Sequence, residues 1–188
     1  MHPHTHYERL TQIETSRLRL RPMRKDDAEL VVAWRNAAAP MFFLPPPTLQ
    51  QHRSWFDGPR RGRVDYMIVR KDEMRPIGVV NFKNIDGRKQ RAEAGKLLGD
   101  VDSRGQGMAK EAFAGWLLYG FNYLDFREVI IQTRADNSAN IHLNRRLGFH
   151  IIDQYDREVS DGEYKRFLLM KITYSTSDNL AQIIRKRP

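Results

Sequence analysis

The run Arg104-Gly105-Gln106-Gly107-Met108-Ala109 stands between a strand pattern and a helix pattern. Upstream, residues 91–99 read as a strand. Downstream, Ala109, Ala112, Phe113, Trp116, Leu117, Gly120, Phe121 and Leu124 recur at steps of three and four. That spacing makes one apolar face of an amphipathic helix. A strand, a short glycine turn and a helix bring backbone N–H groups and a positive helix end to one point, where an anion such as a phosphate is received. Glycine suits the turn because a missing Cβ lets the backbone come close to the anion. A plain turn is the competing reading of two glycines, so the rest of the chain has to decide.

Residues 17–21 alternate leucine with arginine and read as a first strand with one buried face. Asp26 and Asp27 suit the start of a helix whose apolar face is Leu30, Val31 and Trp34. Residues 37–47 form a loop, with Met41 to Leu44 ahead of three prolines. That apolar loop either tucks into the core or lines a pocket. Thr48 caps a second helix with Gln51 as its capping-box partner, and this helix carries His52, Trp55 and Phe56. Residues 66–70 and 77–85 make a hairpin, Asp86-Gly87 turns, and the strand 91–99 follows. After the long helix come a strand at 128–134 and a short helix over 137–146 closed by Gly148. Two strands, 149–155 and 164–172, and a short helix at 180–184 finish the chain. The order is that of a mixed α/β (α+β) domain.

At 188 residues the chain suits one domain with a substantial core. Residues 1–14 read as a flexible N-terminus, so the alternating His2, His4 and His6 are a frayed end before a metal site. Residues 175–188 read as a basic extension. No apolar run is long enough to cross a membrane, and residues 1–10 lack a signal-peptide core, which places the protein in the cytoplasm. The chain has no cysteine, so disulfides, thiolate-bound metals and a cysteine nucleophile are excluded. The net charge of +9 suits an anionic ligand: nucleic acid, an anionic membrane, or a phosphate-rich cofactor or substrate. It is spread along the chain and gathers only in the tail, which argues against nucleic acid as the main partner. A nucleic-acid module remains the non-enzymatic alternative, and a catalytically silent sensor is a third reading.

The order of elements and the central run resemble the GNAT superfamily of acetyl-CoA-dependent N-acetyltransferases. The family pattern is Arg or Gln, two residues, Gly, one residue, then Gly or Ala; Arg104, Gly107 and Ala109 fill it. A second signature lies in residues 135–140, Leu143-Asn144 and Leu147-Gly148-Phe149. The resemblance covers about residues 15–174. It implies a mostly antiparallel sheet flanked by helices and splayed at its two central strands. It implies acetyl-CoA as co-substrate, without metal, and a small-molecule amine as acceptor. The pyrophosphate of coenzyme A would rest on the turn and helix start, Arg104, Gly105, Gln106, Gly107, Met108, Ala109 and Lys110. The pantetheine arm would run beside Leu97, Leu98 and Gly99. Asn137, Asn140 and Asn144 share a helix face, and the resemblance implies that this face looks at the cofactor, Asn137 first. Two departures stand out. Many members carry a tyrosine where Asn144 stands, and asparagine cannot deliver a proton at neutral pH. Val101 replaces a usual proline.

A Gly-x-x-x-x-Gly-Lys nucleotide loop is disfavoured, because Lys110 follows Ala109 rather than the second glycine. A dinucleotide fold is disfavoured by the hairpin connections. Acetyl transfer to an amine needs a base for the amine proton, a donor for the oxyanion and an exit for the thiolate. With no cysteine and no Gly-x-Ser-x-Gly elbow, direct ternary transfer is the economical route. Glu93 on the central strand is the candidate base, through a water; the competing reading is a carboxylate paired near Arg91 and Lys96. Glu111 is set aside as a helix charge facing solvent. A backbone N–H near Leu98 would hold the oxyanion, and Asn144 would orient the sulfur. The acceptor wall would be Trp34, Arg35, Met41 and His52, with Trp55 and Phe56; the aromatic residues read equally as core. This pattern is similar to acetyltransferases of amino sugars on nucleotides and of ribosomal-protein N-termini. Few acids stand in residues 34–56, which argues against a polyamine acceptor. The last strands offer an edge for a homodimer.

Overall fold

The structure, a computed structural model, describes residues 12–39, 46–160, 162–176 and 178–185. His2, His4, His6, the apolar loop Met41 to Leu44 and the residues after Arg185 lie outside them. Eight strands form one sheet: β1 (Ile13–Glu14), β2 (Leu18–Pro22), β3 (Val64–Arg70), β4 (Pro76–Asp86), β5 (Arg91–Leu98), β6 (Glu128–Arg134), β7 (His150–Ser160) and β8 (Glu163–Thr173), in the order β1-β2-β3-β4-β5-β6-β8-β7. Every neighbouring pair is antiparallel except β5 with β6. The helices are α1 (Ala28–Ala37), α2 (Leu49–Asp57), α3 (Met108–Tyr123), α4 (Ser138–Arg146) and α5 (Asp178–Arg185).

The sheet buries both faces in two separate cores. On one face Phe82, Ala92, Ala94, Val129 and Ile131 pack under Phe113, Trp116 and Leu117 of α3. Gly120 is required there, because a Cβ at that position would come within 2.7 Å of the Phe82 ring. On the other face Met67, Val69 and Val79 pack under Val31 of α1, with Trp34, Trp55, Phe56 and Leu97 at the rim. The core reading of the helix aromatics holds for Trp55 and Phe56, which pack against this core and stay half exposed.

Local signals set the helix ends. Thr48 accepts from Gln51 N at 3.2 Å while Gln51 Oε1 accepts from Thr48 N at 2.8 Å, a reciprocal cap on α2. α4 closes with Gly148 at φ 102, and Phe149 N returns to Asn144 O. Two expectations near α1 change. Asp27 lies in a 3-10 turn before the helix, where it accepts from Arg24 N at 2.7 Å and pairs with Arg21 at 2.7 Å. Leu30 is exposed and Val32 takes its place inward. β1 has no pattern of its own and exists because Ile13 and Glu14 pair with β2.

Glu111 does not face solvent. It is buried, and one oxygen accepts from Thr15 Oγ1 and Arg17 N while the other accepts from Arg17 Nε, each at 2.7 Å. A charge buried on a helix persists because these bonds replace its water. Arg17 also donates to Gln106 O at 3.0 Å, so this network fastens the glycine turn to the start of β2. Glu111→Ala is expected to lower stability by about 3 kcal/mol, as for breaking a buried pair, with the loss read from urea unfolding. A change under about 0.5 kcal/mol, the size of an ordinary surface substitution, would refute that role.

Candidate active site

β5 and β6 pair for a short distance only, at Arg91↔Glu128, Ala92↔Val129 and Glu93↔Ile130. Beyond Glu93, β5 stays with β4 as far as Leu98, and β6 stays with β8 as far as Arg134. The two central strands therefore part, and a slot opens between them. Gly99 N donates to Ile77 O. Ladder bonds alternate along an antiparallel pair, so Leu98, Lys96 and Ala94 turn their N–H and C=O groups into the slot.

The glycine turn sits at the end of β5. Gly105 and Gly107 both adopt left-handed backbone, at φ 74 and 76. Gly107 is the N-cap of α3 and brings no side chain to the helix end. The first intrahelical bond runs from Glu111 N to Gly107 O, so the N–H groups ahead of it point outward from the helix start. Arg104 and Gln106 complete the turn; Met108 puts its side chain in the core, which leaves its backbone to the site. Below the turn, Ser103 Oγ donates to Asp100 Oδ2 at 2.5 Å, and Arg75 donates to Asp100 Oδ1 at 2.5 Å. Burial alone would raise the Asp100 pKa, but these bonds hold it below the usual carboxylate value. An outward helix start, two left-handed glycines and no capping side chain fit a diphosphate held by backbone.

The other named residues divide between the two faces of β5. Leu98 packs on the α3 face and Leu97 on the α1 face. Gly99 makes room for Trp34: a Cβ there would come within 2.0 Å of the indole. Glu93 faces the α1 side, buried, with Oε1 at 2.8 Å from Lys83 Nζ and Oε2 accepting from Asn84 Nδ2 at 3.0 Å. It is ion-paired as the competing reading held, but through Lys83 in cross-strand register rather than Arg91 or Lys96. Gln132 of β6 accepts from Tyr155 Oη at 2.5 Å, and the Glu93 charge raises the Tyr155 pKa further, after burial. Gln132 and Tyr155 therefore belong to this region, and no sequence signal marked them.

Deeper on the α1 side, Asp65, Asn81 and Gly95 lie in one register row across β3, β4 and β5. His52 of α2 is buried near Asp65, Arg63 and Arg35; burial first, then Arg35, lowers its pKa, so it is neutral at neutral pH. Burial and then Arg63 likewise lower that of Arg35. His52 Nε2 and Asn81 Oδ1 are buried with no hydrogen-bond partner among the described residues. Trp34, Arg35 and His52 thus lie on the same side of the sheet as Glu93, while Met41 lies outside the described residues.

On the other face, α4 turns Asn140 and Asn144 toward the sheet. Asn137 Oδ1 caps the helix by accepting from Asn140 N at 3.1 Å, and Asn140 Nδ2 donates to Thr133 Oγ1 at 2.8 Å. Asn144 is fully buried and accepts from Lys96 Nζ at 2.6 Å. Among the described residues no group of three or more His, Cys, Asp or Glu could hold a metal ion, and no helix is long and apolar enough to cross a membrane.

The fold agrees with known proteins. Spermidine N(1)-acetyltransferase of Escherichia coli K12 is 25% identical over 170 residues, covering 82% of this chain and 85% of that one. The solved structure of spermidine N-acetyltransferase from Vibrio cholerae, in complex with CoA and spermine, superposes with a TM-score of 0.80 at 19% identity, over 86% of this chain and 98% of that one. A GNAT-family acetyltransferase from Bacillus anthracis gives 0.74 at 18% identity, over 87% and 98%. The profile of the acetyltransferase (GNAT) domain matches residues 17–150, and the chain therefore belongs to the GNAT family of acetyl-CoA-dependent acetyltransferases.

Proposed function

We propose that this protein acetylates the primary amine of a small polar acceptor, an amino sugar or a sugar nucleotide, by direct transfer within a ternary complex. The observation that carries this reading is the slot between β5 and β6, which has a backbone anion seat at its end and Glu93 at its root. Residues 15–174 form the acetyltransferase unit. The diphosphate of coenzyme A sits on the N–H groups from Gly105 to Lys110. The pantetheine arm runs along Leu97 to Gly99, where open backbone groups replace a missing strand. Asn137 closes this side. Leu98 N–H faces the slot and holds the oxyanion. Glu93 takes the amine proton directly or through one water. With no cysteine in the chain, attack of the amine on the thioester needs no acyl-enzyme.

Trp34, Arg35 and His52 form the acceptor wall. Charge favours a polar acceptor over a polycation: Arg63 and Lys83 neutralise Asp65 and Glu93, so neither acid is free to hold an ammonium group. The orphaned His52 Nε2 and Asn81 Oδ1 suit hydroxyl partners. The E. coli relative supports a second reading, a polyamine acceptor. Acetyl-CoA turnover, followed by free thiol, separates them across amino-sugar nucleotides, spermidine, aminoglycosides and N-terminal peptides. The expected result is a kcat/KM at least about tenfold higher for an amino-sugar nucleotide than for spermidine, because a polycation finds Asp65 and Glu93 already paired with Arg63 and Lys83. A preference for spermidine would overturn the amino-sugar reading and leave the transfer chemistry standing.

A further inference from the structure

Acetyl transfer ends with a thiolate, which needs a proton, and Asn144 has none to give at neutral pH. We propose that Lys96 is the proton donor to the departing sulfur and that Asn144 positions its ammonium group. The proposal rests on the acetyl-transfer reading of the slot.

The geometry supports it from three directions. Lys96 lies on β5 beyond Glu93, the last residue paired with β6, so its backbone faces the slot. Its side chain goes to the face opposite Glu93, where Nζ donates to Asn144 Oδ1 at 2.6 Å and stands 4.2 Å from the centre of the Phe113 ring. Acid and base are thus on the two sides of one strand, as a reaction that takes a proton from the amine and gives one to the sulfur requires. Among the described residues no carboxylate lies within ion-pair distance of Lys96. Its neighbours are Val80 in register on β4, Phe113 on α3 and the Asn144 amide on α4, all uncharged. A cation set among such neighbours, with one hydrogen bond and no counter-ion, costs stability. Burial pushes the Lys96 pKa down to about 7. An amine of that acidity matches the task at neutral pH.

The proton balance closes. The acceptor nitrogen forms its bond to the acetyl carbon and gives a proton to Glu93. The carbon–sulfur bond breaks with its electron pair on sulfur. Lys96 Nζ gives a proton to that sulfur and becomes a neutral amine. Glu93 releases its proton to solvent and Lys96 takes one up before the next turnover.

The test uses Lys96→Met, Lys96→Arg and Lys96→Cys. The chain has no native cysteine, so bromoethylamine converts position 96 alone into an aminoethyl-cysteine, a lysine analogue with a more acidic amine. Lys96→Met is expected to lower kcat by about 10²-fold, with calorimetric CoA affinity within about threefold of the parent. The parent loses kcat as pH rises and Lys96 deprotonates; Lys96→Met loses that falling limb. Lys96→Arg keeps charge and hydrogen bond but not a transferable proton, and stays as slow as Lys96→Met. Aminoethylation of Lys96→Cys restores the rate, with the falling limb at lower pH. A readout free of turnover follows from linkage. Between about 7 and the ordinary lysine value of 10.5 the unfolded chain holds a proton that the folded protein lacks. Stability therefore gains with pH across that window in the parent relative to Lys96→Met. An unshifted limb in the analogue, a fully active Lys96→Arg, or equal pH–stability curves would overturn the proposal. If the parent itself transfers acetyl to no acceptor, the acetyl-transfer reading fails and this one with it. An active parent beside an active Lys96→Met sinks only the role of Lys96.

Discussion

Glu93→Gln is expected to lower kcat by about 10²–10⁴-fold, the span that general base catalysis contributes. Glutamine keeps the shape of glutamate but cannot take the amine proton. Glu93 is buried at the point where β5 and β6 separate, and each of its oxygens accepts one bond, from Lys83 and from Asn84. The substitution leaves Lys83 without its partner, and Lys83, about one-third exposed, can turn toward water. Folding should therefore survive, with a thermal midpoint within a few degrees of the parent. The anion seat lies at the far end of β5, so the KM for acetyl-CoA should hold within about threefold, a change of under 1 kcal/mol. Steady-state kinetics with the best acceptor checks both numbers. A kcat within threefold of the parent would remove Glu93 from the chemistry and leave Lys83–Glu93 as a structural pair.

Gly107→Val is expected to weaken acetyl-CoA binding by about 10²-fold or more. The argument is one of backbone rather than space. A Cβ at Gly107 would meet only Arg17 Nη2, at 3.6 Å, but the residue holds φ 76. For an L-residue that conformation costs about 1–2 kcal/mol, and a β-branched residue is a genuine outlier there. Relief of the strain rotates the N–H groups at the start of α3 away from their common focus. Loss of two hydrogen bonds to a charged diphosphate, at about 1.5–3 kcal/mol each, gives the expected drop. Calorimetry with CoA measures it. Gly87→Ala is the control, since nothing lies within 4 Å of its Cβ position and its φ is not left-handed. Equal CoA affinity in Gly107→Val and Gly87→Ala would dissociate the turn from the cofactor.

Much of the fold was legible because it follows from local physics. The Thr48–Gln51 cap, the Gly148 close and the three-and-four spacing of α3 each act over a few residues, and each produced the expected element. The glycine turn was legible for the same reason. Misplaced expectations depend on distant partners. Glu111 looked like a solvent-facing helix charge because Thr15 and Arg17, which satisfy it, lie nearly a hundred residues away in the chain. Lys96 read as a neighbour of Glu93, three residues on, yet β alternation sends an odd separation to opposite faces.

By itself, the sequence determined the succession of elements from β2 onward, the glycine turn before α3, the absence of thiol chemistry and, through Arg104, Gly107 and Ala109, the family. Only the tertiary structure decided which charges meet. It paired Glu93 with Lys83, seated Lys96 against Asn144, and parted β5 from β6 after Glu93. The reason is range. Caps, turns and periodicity are fixed by interactions within a few residues, whereas strand register and the packing of α3 and α4 on the sheet depend on the burial of the whole chain.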